Sequence, residues 1–225
     1  MIDERVVKII RDHYHSRDQN NDYGENNLGF GFIHYSLIRN IRPLGVLCIG
    51  SQRGYVPALL ALACKDNNYG HVTFVDAGYA LNEENAWGGI GVWKDWNEKK
   101  HEKYWRPLGV ADYISVRTMT TEEYINKAKG MQFDYVYIDG DHSIEGMRKD
   151  FKLTWPKLKV GGYMLFHDIS VDKQTQYGKC GGKEFWQEMY VDTIKYDYTI
   201  SEEDNIFAEY MTLPLDAGLG IIRKI

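Results

Sequence analysis

Val46-Leu47-Cys48-Ile49-Gly50-Ser51-Gln52-Arg53-Gly54 is the stretch that decides the fold of this chain. Its apolar half reads as a short buried strand, Gly50 and Gly54 bracket a tight turn, and a helix follows from about Tyr55 to Cys64. Glycine has no side chain, so a turn of this kind brings bare backbone against a ligand. Further on, Val72-Thr73-Phe74-Val75-Asp76 reads as a second strand closed by a carboxylate. A glycine turn after one parallel strand, with an acid ending the next, is how a doubly wound sheet holds a ribose-bearing cofactor. The expectation is an α/β protein with a Rossmann-like sheet and a nucleotide-type cofactor.

Outward from this stretch, strand patterns recur at 45–49, 72–76, 112–117, 133–138, 161–166, 195–200 and 218–224, with helical patterns between most of them. Strands alternating with helices imply a mostly parallel sheet covered on both faces. After the fourth strand, Ile144, Met147, Phe151 and Trp155 form one apolar helical stripe that Pro156 closes. Thr120 and Glu123 have capping-box spacing for the helix before that strand. Upstream, Ile2 to Tyr14 suits an amphipathic helix, Ser16 to Asn27 a polar surface loop, and Gly31 to Asn40 a helix that stops before Pro43. Residues 1–40 therefore read as an N-terminal helical extension and 41–225 as the main domain. Residues 77–109 exceed a simple strand-to-helix connection and carry Trp87, Trp93, Trp96 and Trp105, an insertion expected to cover an acceptor. Ser170 to Gly182 is a second long, glycine-rich loop.

Composition narrows the function. A length of 225 residues suits one large domain, and a net charge of -5 leaves no footprint for nucleic acid or an anionic membrane. Cys48, Cys64 and Cys180 are odd in number and lack metal-ligand spacing, which gives no sign of an oxidising compartment. The N-terminus is charged from Asp3 to Arg5, and the longest apolar stretch, Val56 to Cys64, is too short to span a bilayer. A cytoplasmic location is the expectation.

Two further strands end in polar groups: Phe133-Asp134-Tyr135-Val136-Tyr137-Ile138-Asp139-Gly140-Asp141-His142-Ser143, and Gly161-Gly162-Tyr163-Met164-Leu165-Phe166-His167-Asp168-Ile169. Neighbouring parallel strands lie about 5 Å apart, so Asp139, His167 and Asp168 converge if these two are neighbours. Such a group binds a divalent cation or acts as a general base. His142 suits a structural hydrogen bond as well as it suits chemistry. Asp141 is explained equally by capping the helix that starts near Ser143, and Asp150 by a solvated place on that helix. His13, His15, His34, His71 and His101 have no partner visible in the sequence.

The glycine turn lacks the Gly-x-Gly-x-x-Gly that seats a pyrophosphate, and Gly50-x-x-x-Gly54 with bulky Gln52 and Arg53 better suits a ligand without phosphates. It resembles the first motif of class I S-adenosylmethionine-dependent methyltransferases. The run from Tyr137 to Gly146, then Lys149-Asp150-Phe151, Gly161-Gly162, His167-Asp168 and the segment Gly182 to Glu188 resembles the methyltransferase-24 family over roughly residues 44 to 225. The resemblance implies a seven-stranded sheet whose last strand is antiparallel. It implies a cofactor loop of Gly50, Ser51, Gln52 and Gly54, with Asp76 on the ribose, Met119 and Thr120 flanking the adenine, and Asp139 beside the sulfonium and substrate. Related catechol-type enzymes hold magnesium with carboxylate or amide groups where His167 and Asp168 stand here, and the imidazole favours a softer metal or acid–base work.

Together these readings predict methyl transfer from S-adenosylmethionine to a hydroxyl of a small acceptor, of sugar, aromatic or natural-product type. His167 is the candidate base, with Asp139 and Asp168 orienting it or holding a metal together with it, and His142 is a further catalytic candidate beside them. The alternatives are N-methyl transfer without metal, an NAD-binding oxidoreductase, and a non-catalytic binding module on the same fold. The N-terminal helix leaves a homo-oligomer open.

Overall fold

Apolar strands separated by helices make a sheet that must be buried on both faces, and this is the architecture of the computed structural model, which describes residues 2–14, 27–79, 91–175, 178–195, 208–214 and 217–225. Strands β1 (Gly45–Ile49), β2 (His71–Asp76), β3 (Ile114–Thr118), β4 (Phe133–Ile138) and β5 (Leu158–His167) are parallel, in the order β3-β2-β1-β4-β5. A two-stranded hairpin, β6 (Gln174–Thr175) and β7 (Gly178–Lys179), follows β5. Strand β8 (Ala208–Leu213) pairs antiparallel with β9 (Leu219–Lys224), which inserts antiparallel between β8 and β5. The sheet thus has seven strands and its last strand is antiparallel, as expected. The strand order reverses between β1 and β4, and the crevice outside their carboxyl ends is where such sheets bind ligands.

One strand was not anticipated. The sheet includes Ala208–Leu213, which the sequence reading did not single out; of the strand expected at 195–200, Lys195 ends the helix Gly182–Lys195 and 196–200 lie outside the described residues. β8 reaches β9 through the short connection 214–218, and a hairpin closes readily over so short a span.

Alternation along the strands divides the core into two clusters. Tyr135, Tyr137 and Leu165 face helices α1 (Glu4–Tyr14), α2 (Gly31–Ile41) and α3 (Tyr55–Asn67). Val136, Ile138, Met164 and Phe166 face α5 (Thr121–Lys127), α6 (Ile144–Thr154) and α7 (Gly182–Lys195). Helix α3 is buried on every side from Tyr55 to Cys64, which its apolar sequence requires. The capping box forms as spaced, with the Thr120 hydroxyl accepting from the Glu123 amide. Among the described residues no helix is long and apolar enough to cross a membrane.

The described residues among the first 40 share this core: Val7, Ile10, Tyr14 and Ile38 are buried with α3. Much of the insertion does too. Trp105, which ends α4 (Glu98–Trp105), stacks on Tyr14 with ring centroids 5.4 Å apart and planes 13° from parallel. The Tyr14 hydroxyl donates to the Tyr104 carbonyl (2.7 Å). Trp93 meets Phe74 of β2 edge to face at 4.7 Å. Trp87 and the loop at 16–26 lie outside the described residues. Because Tyr14 joins α1 to the insertion by both ring and hydroxyl, Tyr14→Ala is expected to cost about 3–5 kcal/mol and Tyr14→Phe about 1 kcal/mol. Urea unfolding of the two variants measures both, and equal losses would refute the stacking account.

Candidate active site

The turn after β1 works because two backbones nearly touch. Gly50 has φ +65°, and a Cβ there would lie 2.2 Å from the Asp139 carbonyl oxygen. Only glycine leaves β1 and the end of β4 this close. The Gly50 amide donates to the Val75 carbonyl (2.9 Å), and the Asp139 amide donates to the Ile49 carbonyl (2.8 Å). Gln52 takes a left-handed φ of +38°, unusual for a residue with a side chain. It is held there by Trp93, whose indole N–H donates to the Gln52 carbonyl (2.9 Å). Gly54 (φ +79°) starts α3 against Trp93 and Trp105.

A cavity of about 280 Å³ opens above this turn. Gly50, Ser51, Gln52, Asp76, Met119, Thr120 and Asp139 all line it, so these predicted cofactor residues come together. Gly54 lies behind the loop rather than in the cavity wall. Burial pushes the Asp76 carboxyl up to about 6, against the Gly78 amide that bonds it and with Asp139 adding to the rise. A buried acid with spare acceptor oxygens at the end of β2 suits paired hydroxyl donors such as those of a ribose. The bare glycine backbone, the left-handed Gln52 and this acid fit the amino-acid and ribose parts of S-adenosylmethionine.

Next to the cavity, and sharing Asp139 with it, lies a cluster of two imidazoles and two carboxylates. His167 Nδ1 is 3.0 Å from Asp139 Oδ1 and 3.4 Å from Asp168 Oδ1. His142 Nδ1 is 3.0 Å from Asp168 Oδ2, and its Nε2 is 3.5 Å from Asp139 Oδ1. Asp168 reaches both rings because β5 ends in a left-handed turn (φ +59° at Asp168), with Gly182 packed against its carbonyl. Burial opposes charge on His142, but Asp168 and Asp139 outweigh it and hold the imidazole above its ordinary pKa. Burial likewise pushes Asp168 up, and His167 and His142 outweigh that, leaving it well below the usual carboxylate range. Single donor atoms of Asp139, His142 and His167 lie within 4.8 Å of one another, a spacing one metal ion can bridge.

Sequence reasoning missed two residues. Asp150 is buried and lines the cavity, so the solvated position expected for it is corrected. The signal was present, because Asp150 falls on the helical stripe of Met147, Phe151 and Thr154. His34 is fully buried beneath β4, its Nδ1 2.6 Å from the Tyr135 hydroxyl, and burial lowers its pKa to about 3. Nothing local could reveal that contact, because the partners are a hundred residues apart in sequence. Ser143, rather than Asp141, caps α6, with its hydroxyl accepting from the Gly146 amide (3.0 Å).

The sequence pattern of the methyltransferase-24 family, a methyltransferase domain, matches residues 47–169. The chain belongs to the methyltransferase-24 family. The match takes in β1 to β5 and every residue of the imidazole–carboxylate cluster. Solved structures of similar fold include a protein assigned as an O-methyltransferase in Klebsiella pneumoniae (TM-score 0.63, 12% identity, 100% of this chain and 91% of that one). Another is the Bacillus cereus O-methyltransferase, solved with S-adenosylhomocysteine (0.61, 14%, 100% and 92%). A third is TomG of Streptomyces achromogenes, solved with S-adenosylmethionine and involved in tomaymycin synthesis (0.60, 13%, 100% and 91%). No curated protein matches the chain in sequence. At such identities the neighbours establish the fold, and it is that of the class I S-adenosylmethionine-dependent methyltransferases.

Because the Gly50 backbone lies against that of Asp139, Gly50→Ala must strain φ and push β4 from β1. The expected loss is about 2–4 kcal/mol, from the left-handed penalty plus overpacking. Gly54→Ala faces only aromatic ring edges at 3.0 Å and should cost less. Denaturant melts of both decide the order.

Proposed function

We propose that this chain transfers the methyl group of S-adenosylmethionine to a hydroxyl oxygen of a small molecule. The observation that carries the proposal is the sharing of Asp139 between the cofactor-sized cavity and the cluster of His142, His167 and Asp168. The O-methyltransferases of similar fold support the same reading. When bound, S-adenosylmethionine supplies a sulfonium methyl that a nucleophilic oxygen can take. The chain must then hold that oxygen in line and remove its proton, because an alcohol is a weak nucleophile at neutral pH.

Exposure favours His142 as the proton acceptor over His167, the base expected from the sequence. His167 is the more deeply buried ring, its side chain 3% exposed and its Nδ1 against Asp139; His142 is 14% exposed. His142 is therefore the base, with Asp168 fixing its Nδ1 and leaving Nε2 toward Asp139. A raised pKa makes this imidazole a stronger base than a free one. His167 is a positioning residue that fixes Asp139.

The spacing of Asp139, His142 and His167 favours a second reading of the same cluster. Two imidazoles and one carboxylate suit zinc or another transition metal better than magnesium. A cation held there would lower the pKa of the acceptor hydroxyl, and the imidazoles would be ligands rather than bases.

Calorimetric titration of metal-stripped protein should give micromolar affinity for S-adenosylmethionine and none for NAD; the reverse result would overturn the proposal. With an acceptor found by screening hydroxylated aromatics and sugars for S-adenosylhomocysteine release, His142→Gln should lower kcat by about 100-fold or more and leave cofactor affinity unchanged. Unaltered kcat would remove His142 from the mechanism, and loss of wild-type turnover on chelation would select the metal reading. Asp76 gives a pH test. Its folded pKa is raised to about 6, so it holds a proton below that pH and loses acceptor capacity. Affinity for S-adenosylhomocysteine should therefore weaken as pH falls from 7 to 5, and less steeply in Asp76→Asn, which binds about tenfold more weakly at pH 7.

A further inference from the structure

Helix α1 and the described part of the insertion border a second cavity, of about 480 Å³, that shares no described residue with the cofactor cavity. A volume of that order takes a small organic ligand. Its walls are aromatic: Tyr14 of α1, Trp96, and Tyr104 of α4. Exposed His13, Lys100 and Lys103 also line it, and among the described residues no carboxylate does. That is a cationic lining on a chain whose net charge is -5. The neighbouring acids are engaged elsewhere: Asp12, next to His13, lies 2.8 Å from Lys8, and Glu102, next to Lys103, lies 3.0 Å from Arg106. Lys100 Nζ donates to the Lys94 carbonyl (3.0 Å), which fixes the ammonium without neutralising it. No described carboxylate pairs with Lys103. Like charges three residues apart on a helix repel, and a bound anion relieves that. The indole N–H of Trp96 is buried with no acceptor among the described residues, and a ligand oxygen would supply one.

A flat aromatic ring packs against such walls, and an acid group on that ring meets the lysines. A neutral aromatic leaves both ammonium groups unanswered, and an aliphatic acid forgoes the ring contacts. Two of the walls also hold the cofactor loop. The Tyr104 hydroxyl donates to the Arg53 carbonyl (2.7 Å). Trp96 packs on Trp93 with ring centroids 4.9 Å apart, and Trp93 donates to the Gln52 carbonyl (2.9 Å). A ligand that holds Tyr104 and Trp96 in place therefore steadies both loop carbonyls, which couples the two cavities.

We propose that this second cavity binds a planar aromatic anion, and that its occupant tightens the cofactor loop from behind. The site stands on its own observations; only the coupling rests on the cofactor reading given above. The test is calorimetry of the full chain with 2-naphthoate, with its uncharged amide 2-naphthamide, and with cyclohexanecarboxylate, an acid without an aromatic ring. 2-Naphthoate should bind with a Kd of about 100 μM or tighter, and the other two at least about tenfold more weakly. The double variant Lys100→Gln/Lys103→Gln should weaken 2-naphthoate by about tenfold, and Lys103→Glu by at least as much. Both variants change exposed side chains, so both should melt within about 2 °C of wild type. Saturating S-adenosylhomocysteine should leave 2-naphthoate bound, and 2-naphthoate should raise the affinity for S-adenosylhomocysteine by about threefold. Displacement of either ligand by the other would place 2-naphthoate in the cofactor cavity and overturn the proposal. Absence of 2-naphthoate binding, equal binding of acid and amide, or full affinity in both lysine variants would overturn it too. Equal affinity for S-adenosylhomocysteine with and without 2-naphthoate would overturn the coupling. If wild type binds 2-naphthoate but no S-adenosylhomocysteine, the cofactor reading and the coupling fall and the site stands.

Discussion

The rest of the site depends on the near-contact between the backbones of Gly50 and Asp139. Absence of a Cβ at Gly50 lets the end of β4 close onto the end of β1, and the hydrogen bonds on either side fix the result. Asp139 N–H reaches the Ile49 carbonyl, Gly50 N–H reaches the Val75 carbonyl, and Met119 N–H reaches the Asp76 carbonyl (2.9 Å). The carboxyl ends of four strands are laced into one rim. Asp139 thereby belongs to two sites at once, walling the cavity on one side and meeting two imidazoles on the other. A bulkier residue at position 50 would push the cavity wall and the imidazole cluster apart before it touched a side chain of either.

The same residue type behaves in opposite ways on the two sides of that rim. Asp168 faces two imidazoles, stays ionised far below the usual range, and helps keep His142 above its ordinary pKa. Asp76 and Asp150 face the cavity, where burial dominates and both are raised to about 6. Buried charge is tolerated when it is paired, and the cluster is internally paired. The cavity acids have no cation partner of this kind and are met by neutral donors instead, the Gly78 amide for Asp76 and the Thr121 side chain for Asp150. One side of the rim keeps its carboxylate ionised, and the other raises its carboxyls toward neutrality.

How much of this was legible in the sequence follows from the range of each interaction. The glycine turn after β1 was readable because its determinants are local: a strand, two glycines and an acid on the next strand, each set by neighbours in the chain. The Thr120 capping box was readable for the same reason. The convergence of Asp139, His167 and Asp168 needed only the guess that β4 and β5 are adjacent, and they pair in register from Tyr135 with Tyr163 to Ile138 with Phe166. What failed was long-range or two-valued. The strand Ala208–Leu213 went unread, because it is marked only by its pairing with β9. His34 meets Tyr135 through tertiary packing that no spacing encodes. Asp150 stood on an apolar stripe, but a carboxylate on a helix is usually solvated, and that prior outweighed the periodicity.

The Trp-rich insertion, expected to cover an acceptor, does something more immediate in its described part. Trp93 donates to the Gln52 carbonyl and the Tyr104 hydroxyl donates to the Arg53 carbonyl (2.7 Å). The rings of Trp93 and Trp105, nearly parallel at 5.9 Å, back Gly54. Both central residues of the cofactor loop thus have their carbonyls held from behind by aromatic donors. A left-handed Gln52 costs about 1–3 kcal/mol and persists only where its surroundings enforce it. The insertion supplies that enforcement, so the loop is set before any ligand arrives, which lowers the ordering cost of binding. The chain of support extends further, because Trp105 stacks on Tyr14 and Tyr14 belongs to α1. A helix at the start of the chain, remote from the cavity in sequence, therefore shares in holding the backbone that walls the cavity.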